Sequence, residues 1–380
     1  MSRFVRLCET SSPTGEERAV ADLVRAELEA LGLEVTEDDA AGPAGAGSGN
    51  LLARIPGRPA ADGTDPGYLM FCSHIDTVPH YGPIEVLLDE EGVYRSAGKT
   101  ILGADNKAAV AVMIEMAVHA VKEPPPIGIE LLFTVAEEQG LRGAKAFDHT
   151  LLRSEVGYVL DHATDIGEVI TSAPTHIGIE AEFKGVEAHA GLMPEAGASA
   201  IAAAARAISE MEVGRVDPET TANIGVISGG TSGNVIPGRC LIAGEARSID
   251  PYRVTEVIAS MTDAMVWAAS EGGVEVDVTT EKHFTGYRVD ATSRALELAE
   301  KALASRGHEP LRRSTGGGSD ASVFRERGMD CLLLANGTYD NHTELESVPR
   351  QNLVEMLEIC QEIVNLAGAS GQTADPEEAN

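Results

Sequence analysis

Apolar positions along the chain follow two rhythms, short unbroken runs and helical stripes, and their alternation predicts an α/β protein. The opening residues from Met1 read as an amphipathic helix, interrupted by Ser11-Ser12-Pro13-Thr14-Gly15. Thr14 and Glu17 have the spacing of a capping box, and Val20, Leu23, Val24, Leu28 and Leu31 then form one stripe of a helix over 16–31. Short strands follow at 33–36 and 50–55, with a glycine- and alanine-rich loop at 40–49 and a polar turn at 59–66. The run Tyr68-Leu69-Met70-Phe71-Cys72-Ser73-His74 is apolar until it stops at a histidine, and Ile75-Asp76-Thr77-Val78-Pro79 closes it. Such a run suits the centre of a parallel sheet. A hairpin-like stretch at 84–96 leads to Gly103-Ala104-Asp105-Asn106-Lys107, and a helix at 108–121 is apolar on most faces and so expected to be buried. Beyond Pro124-Pro125-Pro126, a strand at 128–135 runs into Ala136-Glu137-Glu138-Gln139-Gly140, and another at 156–160 ends in Asp161-His162.

The character changes near residue 172. From 174 to 284 the pattern is strand (177–184), helix (198–211), strand (221–228), strand (239–248), helix (254–270), strand (274–281), the β-α-β-β-α-β order of the split βαβ, ferredoxin-like unit. Glycines at 229, 230 and 233 predict a tight hairpin at the tip between its middle strands. The outer domain resumes with a helix at 293–305, the loop Thr315-Gly316-Gly317-Gly318-Ser319-Asp320, a helix at 321–327, a strand at 331–334, Asn341-His342-Thr343 and a helix at 350–365. The expected division is 1–173 and 285–366 for an outer domain, 174–284 for an insertion, and 367–380, small, polar and acidic, for a disordered tail. No internal repeat is present.

Composition narrows the partners. The chain has 380 residues with 29 lysines and arginines against 60 acidic residues, a formal charge of −31. That balance argues against nucleic acid or an anionic membrane as partner, where cationic patches carry affinity. Its 43% hydrophobic content supports sizeable cores. Five scattered cysteines, with no C-x-x-C spacing, fit a reduced cytoplasm better than a disulfide framework or a thiolate metal site. The amphipathic opening is not a signal-peptide pattern, and no apolar run reaches membrane-spanning length.

The candidate chemistry lies at the strand ends. In open α/β sheets ligands gather beyond the carboxyl ends of the strands, and His74 there can bind a metal while Asp76 orients it. Each position has a plainer reading: a chance polar pair for His74 and Asp76, a helix N-cap for Asp105, a solvated helix start for Glu137 and Glu138, and a flexible loop for the glycine triplet that otherwise makes an anion cradle. Together, His74, Asp105, Glu137, Glu138, Asp161 and His342 supply two imidazoles and several carboxylates with no cysteine. That donor set suits a pair of zinc-like divalent ions, one carboxylate bridging them.

These motifs, Ser73 to Pro79, Gly103 to Lys107 and Thr134 to Gly140, resemble those of the zinc exopeptidase and deacylase superfamily that includes peptidase T, acetylornithine deacetylase, succinyl-diaminopimelate desuccinylase and glutamate carboxypeptidase. The similarity is greatest to the peptidase T-like branch and spans residues 3 to 366. It implies a zinc-exopeptidase-like catalytic domain, a mixed sheet flanked by helices, with an inserted ferredoxin-like lid that forms a homodimer through 174–284. It implies that His74 and Asp161 bind one metal ion, His342 and Glu138 the other, and that Asp105 bridges. Glu137 is then the general base and Asp76 the partner of His74. A cis peptide is implied between Asp105 and Asn106. His189, otherwise a surface histidine, matches the lid residue that reaches a substrate or oxyanion, often in the partner subunit. Asn234 and Arg247 match lid residues that contact the substrate, and Gly316, Gly317 and Gly318 a loop near its backbone. His162 departs from peptidase T, which has a small residue there; it is expected to line the pocket without ligating.

The leading expectation is thus a cytoplasmic metallopeptidase with two ions, zinc first and cobalt or manganese as alternatives, acting on tri- or dipeptides. An N-acyl amino acid deacylase shares the same metal core, and an inactive metal-binding homologue is the third reading. A complete ligand set with Glu137 argues against the last.

Overall fold

The computed structural model describes residues 2–59, 63 and 65–371; the remainder of the expected turn at 59–66 and of the expected tail, 372–380, lies outside the described residues. The chain divides into two compact units. One takes everything up to Thr171 with Val289–Ser314 and everything from Ser319 on; the other is Ser172–Arg288 with Thr315–Gly318.

The first unit is built on a mixed sheet. Its strands run, from one edge, Val35–Glu37, Leu51–Ile55, Gly128–Thr134, Tyr68–His74, Val156–His162, Asp330–Ala335 and Glu168–Ala173. The four strands from Gly128–Thr134 to Asp330–Ala335 are mutually parallel, while Leu51–Ile55 and Glu168–Ala173 are antiparallel to their inner neighbours. Both faces of Gly128–Thr134 are buried along its whole length, which is why it reads as a continuous apolar run rather than an alternating one. Register matters most here. His74 pairs with Thr134, and Cys72 with Val159, so two residues further on His74 and Asp161 leave the sheet side by side. The helix Ala104–Lys122 is buried along most of its length and packs in a core with Phe4, Leu28, Phe71 and Phe133.

Several expectations are corrected. Thr14 and Glu17 do not form a capping box: Thr14 Oγ1 donates to Asp76 Oδ2 (2.7 Å), and Glu17, itself the N-cap, accepts instead from the Gly15 and Gly47 amides. The Thr14 amide donates to the Thr77 carbonyl (3.1 Å) rather than to Glu17. The loop at 40–49 contains a short helix, Ala41–Ala44, and strands Glu168–Ala173, Leu311–Ser314 and Ser347–Pro349 were not foreseen. The last helix continues to Gly371, so 367–371 is helix and not disordered tail. Gly368 sits against Pro126 with no room for a Cβ, a close approach that docks this end of the helix. Among the described residues, no helix is long and apolar enough to cross a membrane.

The second unit is an antiparallel sheet in the order Gly214–Asp217, Thr220–Gly229, Arg239–Ser248, Thr175–Lys184, Glu275–Phe284. Helices Ala200–Glu210 and Pro251–Gly272 bury Ala203, Ala204, Ala207, Val254, Met261 and Met265 against Ile179, Phe183 and Ile242. This is the expected ferredoxin-like pattern with one extra edge strand. The tip is not a tight hairpin: Gly229 pairs with Cys240, and the intervening Val235–Ile236 forms a separate ribbon with Ala188–His189.

His176 in this unit lies 2.9 Å from Glu245 and stacks obliquely on His283, with ring centroids 4.5 Å apart. Burial, then the nearby Arg247, pushes it down to about 4 from 6.5. Between those values the unfolded chain binds a proton that the folded unit refuses, so the unit loses stability as pH falls through that window. The imidazole is 13% exposed, but Glu245 and Arg247 beside it are more open, so after solvent screening the loss is on the order of 1 kcal/mol. Thermal melts at pH 7 and pH 4.5 should show the second unit melting lower in acid, and His176→Gln should reduce the drop.

Candidate active site

Parallel strand ends deliver the first residues of the site. His74 ends its strand, Asp161 stands beside it, and Glu137 and Glu138 follow the neighbouring strand after Ala136, whose φ of 49° turns the chain sharply. Asp105 enters from the helix start, where Gly103 is left-handed, Asp105 and Asn106 are non-helical, and the Asp105–Asn106 peptide is cis. His342, with φ 66°, arrives on the loop beyond the strand Asp330–Ala335.

These side chains converge. His74 Nε2 lies 3.2 Å from Asp105 Oδ1 and 3.3 Å from Asp161 Oδ1. His342 Nε2 lies 3.1 Å from Asp105 Oδ2 and 3.0 Å from Glu138 Oε1. The two oxygens of Asp105 are thus divided between two imidazoles, each with a further carboxylate of its own. Ligand atoms of His74, Asp105 and Glu138 lie within 4.8 Å of one another, as do those of His74, Glu137 and Asp161.

The surrounding hydrogen bonds orient the set. His74 Nδ1 is 3.0 Å from the Asp76 carbonyl oxygen, an acceptor only, so the proton belongs on Nδ1 and Nε2 is left to face the carboxylates. The Asp76 carboxylate does more than accompany His74: it accepts from the Glu137 amide (3.0 Å), the Glu138 amide (3.3 Å) and Thr14. Asn106 Nδ2 donates to Asp161 Oδ1 (2.7 Å) and to the Leu160 carbonyl (2.8 Å).

The electrostatics favour cations. The Asp105 and Glu138 carboxylates beside it raise His342 to about 10. Burial opposes charge on Asp105, yet His342 and His74 hold it well below the usual carboxylate range. Burial pushes Asp161 up to about 7 and raises Glu137 well above the ordinary value, with Asp161 adding to the latter. Glu138 Oε1 is buried without a hydrogen bond although an imidazole nitrogen stands beside it. Two donors aimed at a common point rather than at each other fit a shared cation, and an all-oxygen-and-imidazole donor set fits a divalent one.

The predicted lid residues lie in the second unit. His189 is exposed, accepts from the Gly191 amide at Nδ1 (3.2 Å) and pairs with Val235 beside Asn234, whose carbonyl accepts from Ala190 (2.9 Å). Arg247 is held by Glu245 through two hydrogen bonds and donates to the Gly316 carbonyl (3.0 Å). A Cβ on Gly318 would come within 2.6 Å of the Phe284 ring, so the position requires glycine. His162 is partly buried, and burial lowers its pKa.

Among the buried charged groups that sequence reasoning missed, Lys107, Asp320 and Glu346 interact with residues of the site. Lys107 donates to Ser12 Oγ (2.6 Å), Asp320 accepts from Thr134 Oγ1 (2.5 Å), and Glu346 binds the backbone before Asp105. Lys107 carried a signal, a cation in a stretch otherwise expected to be buried. The other two sit in loops or at helix starts where acidic residues are ordinary.

A sheet that brings histidines and carboxylates, without a thiolate, to one point defines a class of candidate divalent-ion sites, a kind that many hydrolases use. Residues 172–272 match a peptidase dimerisation domain, and residues 50–185 match peptidase family M28. The chain is 36% identical to the uncharacterized protein YqjE of Bacillus subtilis over 369 residues, covering 97% of this chain and 98% of that one. The crystal structure of a tripeptidase from Staphylococcus aureus superposes with a TM-score of 0.92 at 34% identity, covering 97% of each chain. That of aminopeptidase PepT from Bacillus cereus superposes with a TM-score of 0.88 at 36% identity, covering 96% of this chain and 97% of that one. The chain belongs to the peptidase T-like family of metal-dependent peptide hydrolases.

Proposed function

We propose that this protein is a two-ion exopeptidase that hydrolyses tripeptides and dipeptides. The observation that supports it most directly is the division of the two Asp105 oxygens between His74 and His342. On this reading His74 and Asp161 hold one ion, His342 and Glu138 the other, and Asp105 both, with zinc as the resident metal. When bound, the ions supply Lewis acidity toward the scissile carbonyl and a water acidic enough to ionise near neutral pH. The chain supplies the rest. Glu137 accepts the proton of the attacking water at its carboxylate and delivers it to the leaving amine nitrogen. Asp76 fixes the backbone of Glu137 and Glu138 together, so base and ligand start from one held segment. His189 donates a hydrogen bond to the developing oxyanion, and Asn234, Arg247 and Gly316 to Gly318 line the substrate's path. The protein works as a homodimer through the second unit, as the dimerisation-domain match suggests, and in the cytoplasm, in keeping with five free, buried cysteines.

A panel of free and end-blocked peptides together with N-acyl amino acids tests the reading. Zinc-loaded protein is expected to cleave free tripeptides, and blocking one terminus should abolish cleavage and so show which end is read. Turnover of N-acyl amino acids alone would replace the peptidase reading with deacylation.

A further inference from the structure

Glu346 is a buried carboxylate, 2% exposed, that the ligand set does not use. Its Oε2 accepts from the amides of Leu102 and Gly103, both at 2.8 Å, and its Oε1 from the amide of Asp105 at 2.7 Å. Leu102 and Gly103 lead into the helix and Asp105 is in its first turn, and a carboxylate is well placed among these amides. The consequence reaches further than a cap. Asp105 and Asn106 have non-helical dihedrals, so the helix's own ladder does not fix them. Glu346 also stands four residues after His342, whose imidazole lies 3.1 Å from Asp105 Oδ2. One short segment, 342–346, therefore grips Asp105 twice, imidazole to carboxylate and carboxylate to amide.

We propose that Glu346 is a positioning residue that sets the spacing of Asp105 and His342 and thereby the affinity of the ion they share. The inference rests on the reading of those residues as ion ligands. Glu346→Gln keeps the volume but presents an amide to amide donors, so at least one of the three bonds is lost and the 102–105 segment shifts. Groups behind metal ligands typically change affinity by about 10–100-fold when altered.

The test is zinc titration of the ion-stripped full-length chain, with amide hydrogen exchange read at residues 102–105. Wild type is expected to take up two ions per chain. E346Q should bind the second about 10–100-fold more weakly, exchange faster at Leu102, Gly103 and Asp105, and recover kcat at high zinc with KM little changed. Glu346→Asp, which retains the charge but reaches less far, should fall between the two and serves if E346Q does not fold. Folded E346Q or E346D with wild-type affinity for both ions overturns the role of Glu346 alone. Wild-type uptake of fewer than two ions overturns the ligand reading and this inference with it.

Discussion

Glu137→Gln is expected to lower kcat on a tripeptide by about 10²–10⁴-fold, the usual range for loss of a general base, while both ions stay bound. The substitution is nearly isosteric and removes only the capacity to take a proton. The position of the residue is set by its neighbours: the Glu137 amide is held by Asp76 whatever the side chain, and the proposed ion ligands are Glu138, His74, Asp161, His342 and Asp105. KM should therefore change little, because the base acts in the transition state and contributes little to substrate binding. Steady-state kinetics with metal analysis of the same sample reads both quantities. A variant that keeps the wild-type rate removes Glu137 from its role; one that loses rate and ions together makes it a ligand.

Stripping the ions with a chelator is expected to abolish turnover and to lower the melting temperature of the first unit only. Asp105, Glu137, Glu138 and Asp161 stand together in a largely buried cluster beside the His74 and His342 imidazoles. A ligand present at a thousand times its Kd stabilises the folded state by about 4 kcal/mol, which for a domain of this size is roughly 10 °C. The second unit holds none of these residues, so its transition should stay in place. Calorimetry of loaded and stripped protein separates the two. Equal shifts in both transitions, or none, would contradict a metal centre confined to the first unit.

Much of this site is legible in the sequence because a parallel sheet converts local pattern into position. An apolar run that ends in a histidine, another that ends in an aspartate and a third followed by two glutamates must deliver those residues to one edge if the strands are neighbours in register, and they are. The inserted unit is legible for a similar reason, since its alternating helices and strands have one compact solution. What escaped depends on contacts without local signature. Glu346 acts on backbone 241 residues away, and nothing in the spacing of Glu344-Leu345-Glu346 distinguishes it from a solvated loop. Thr14 and Glu17 do not pair because the Thr14 amide and hydroxyl both turn to a distant segment, the amide to the Thr77 carbonyl and the hydroxyl to Asp76. Ala136 and His342 adopt left-handed backbone as non-glycine residues, a conformation that residue type argues against. Both aim side chains of the cluster. The ribbon between Ala188–His189 and Val235–Ile236 was hidden because its strands are two residues long and its glycines suggested a simple turn.

The most direct test of the account is to follow tripeptide hydrolysis and bound zinc together as ion-free protein is titrated. The account predicts no turnover without metal and full turnover only when two ions are bound per chain. Full turnover by the ion-free chain, or with a single ion bound, would contradict it.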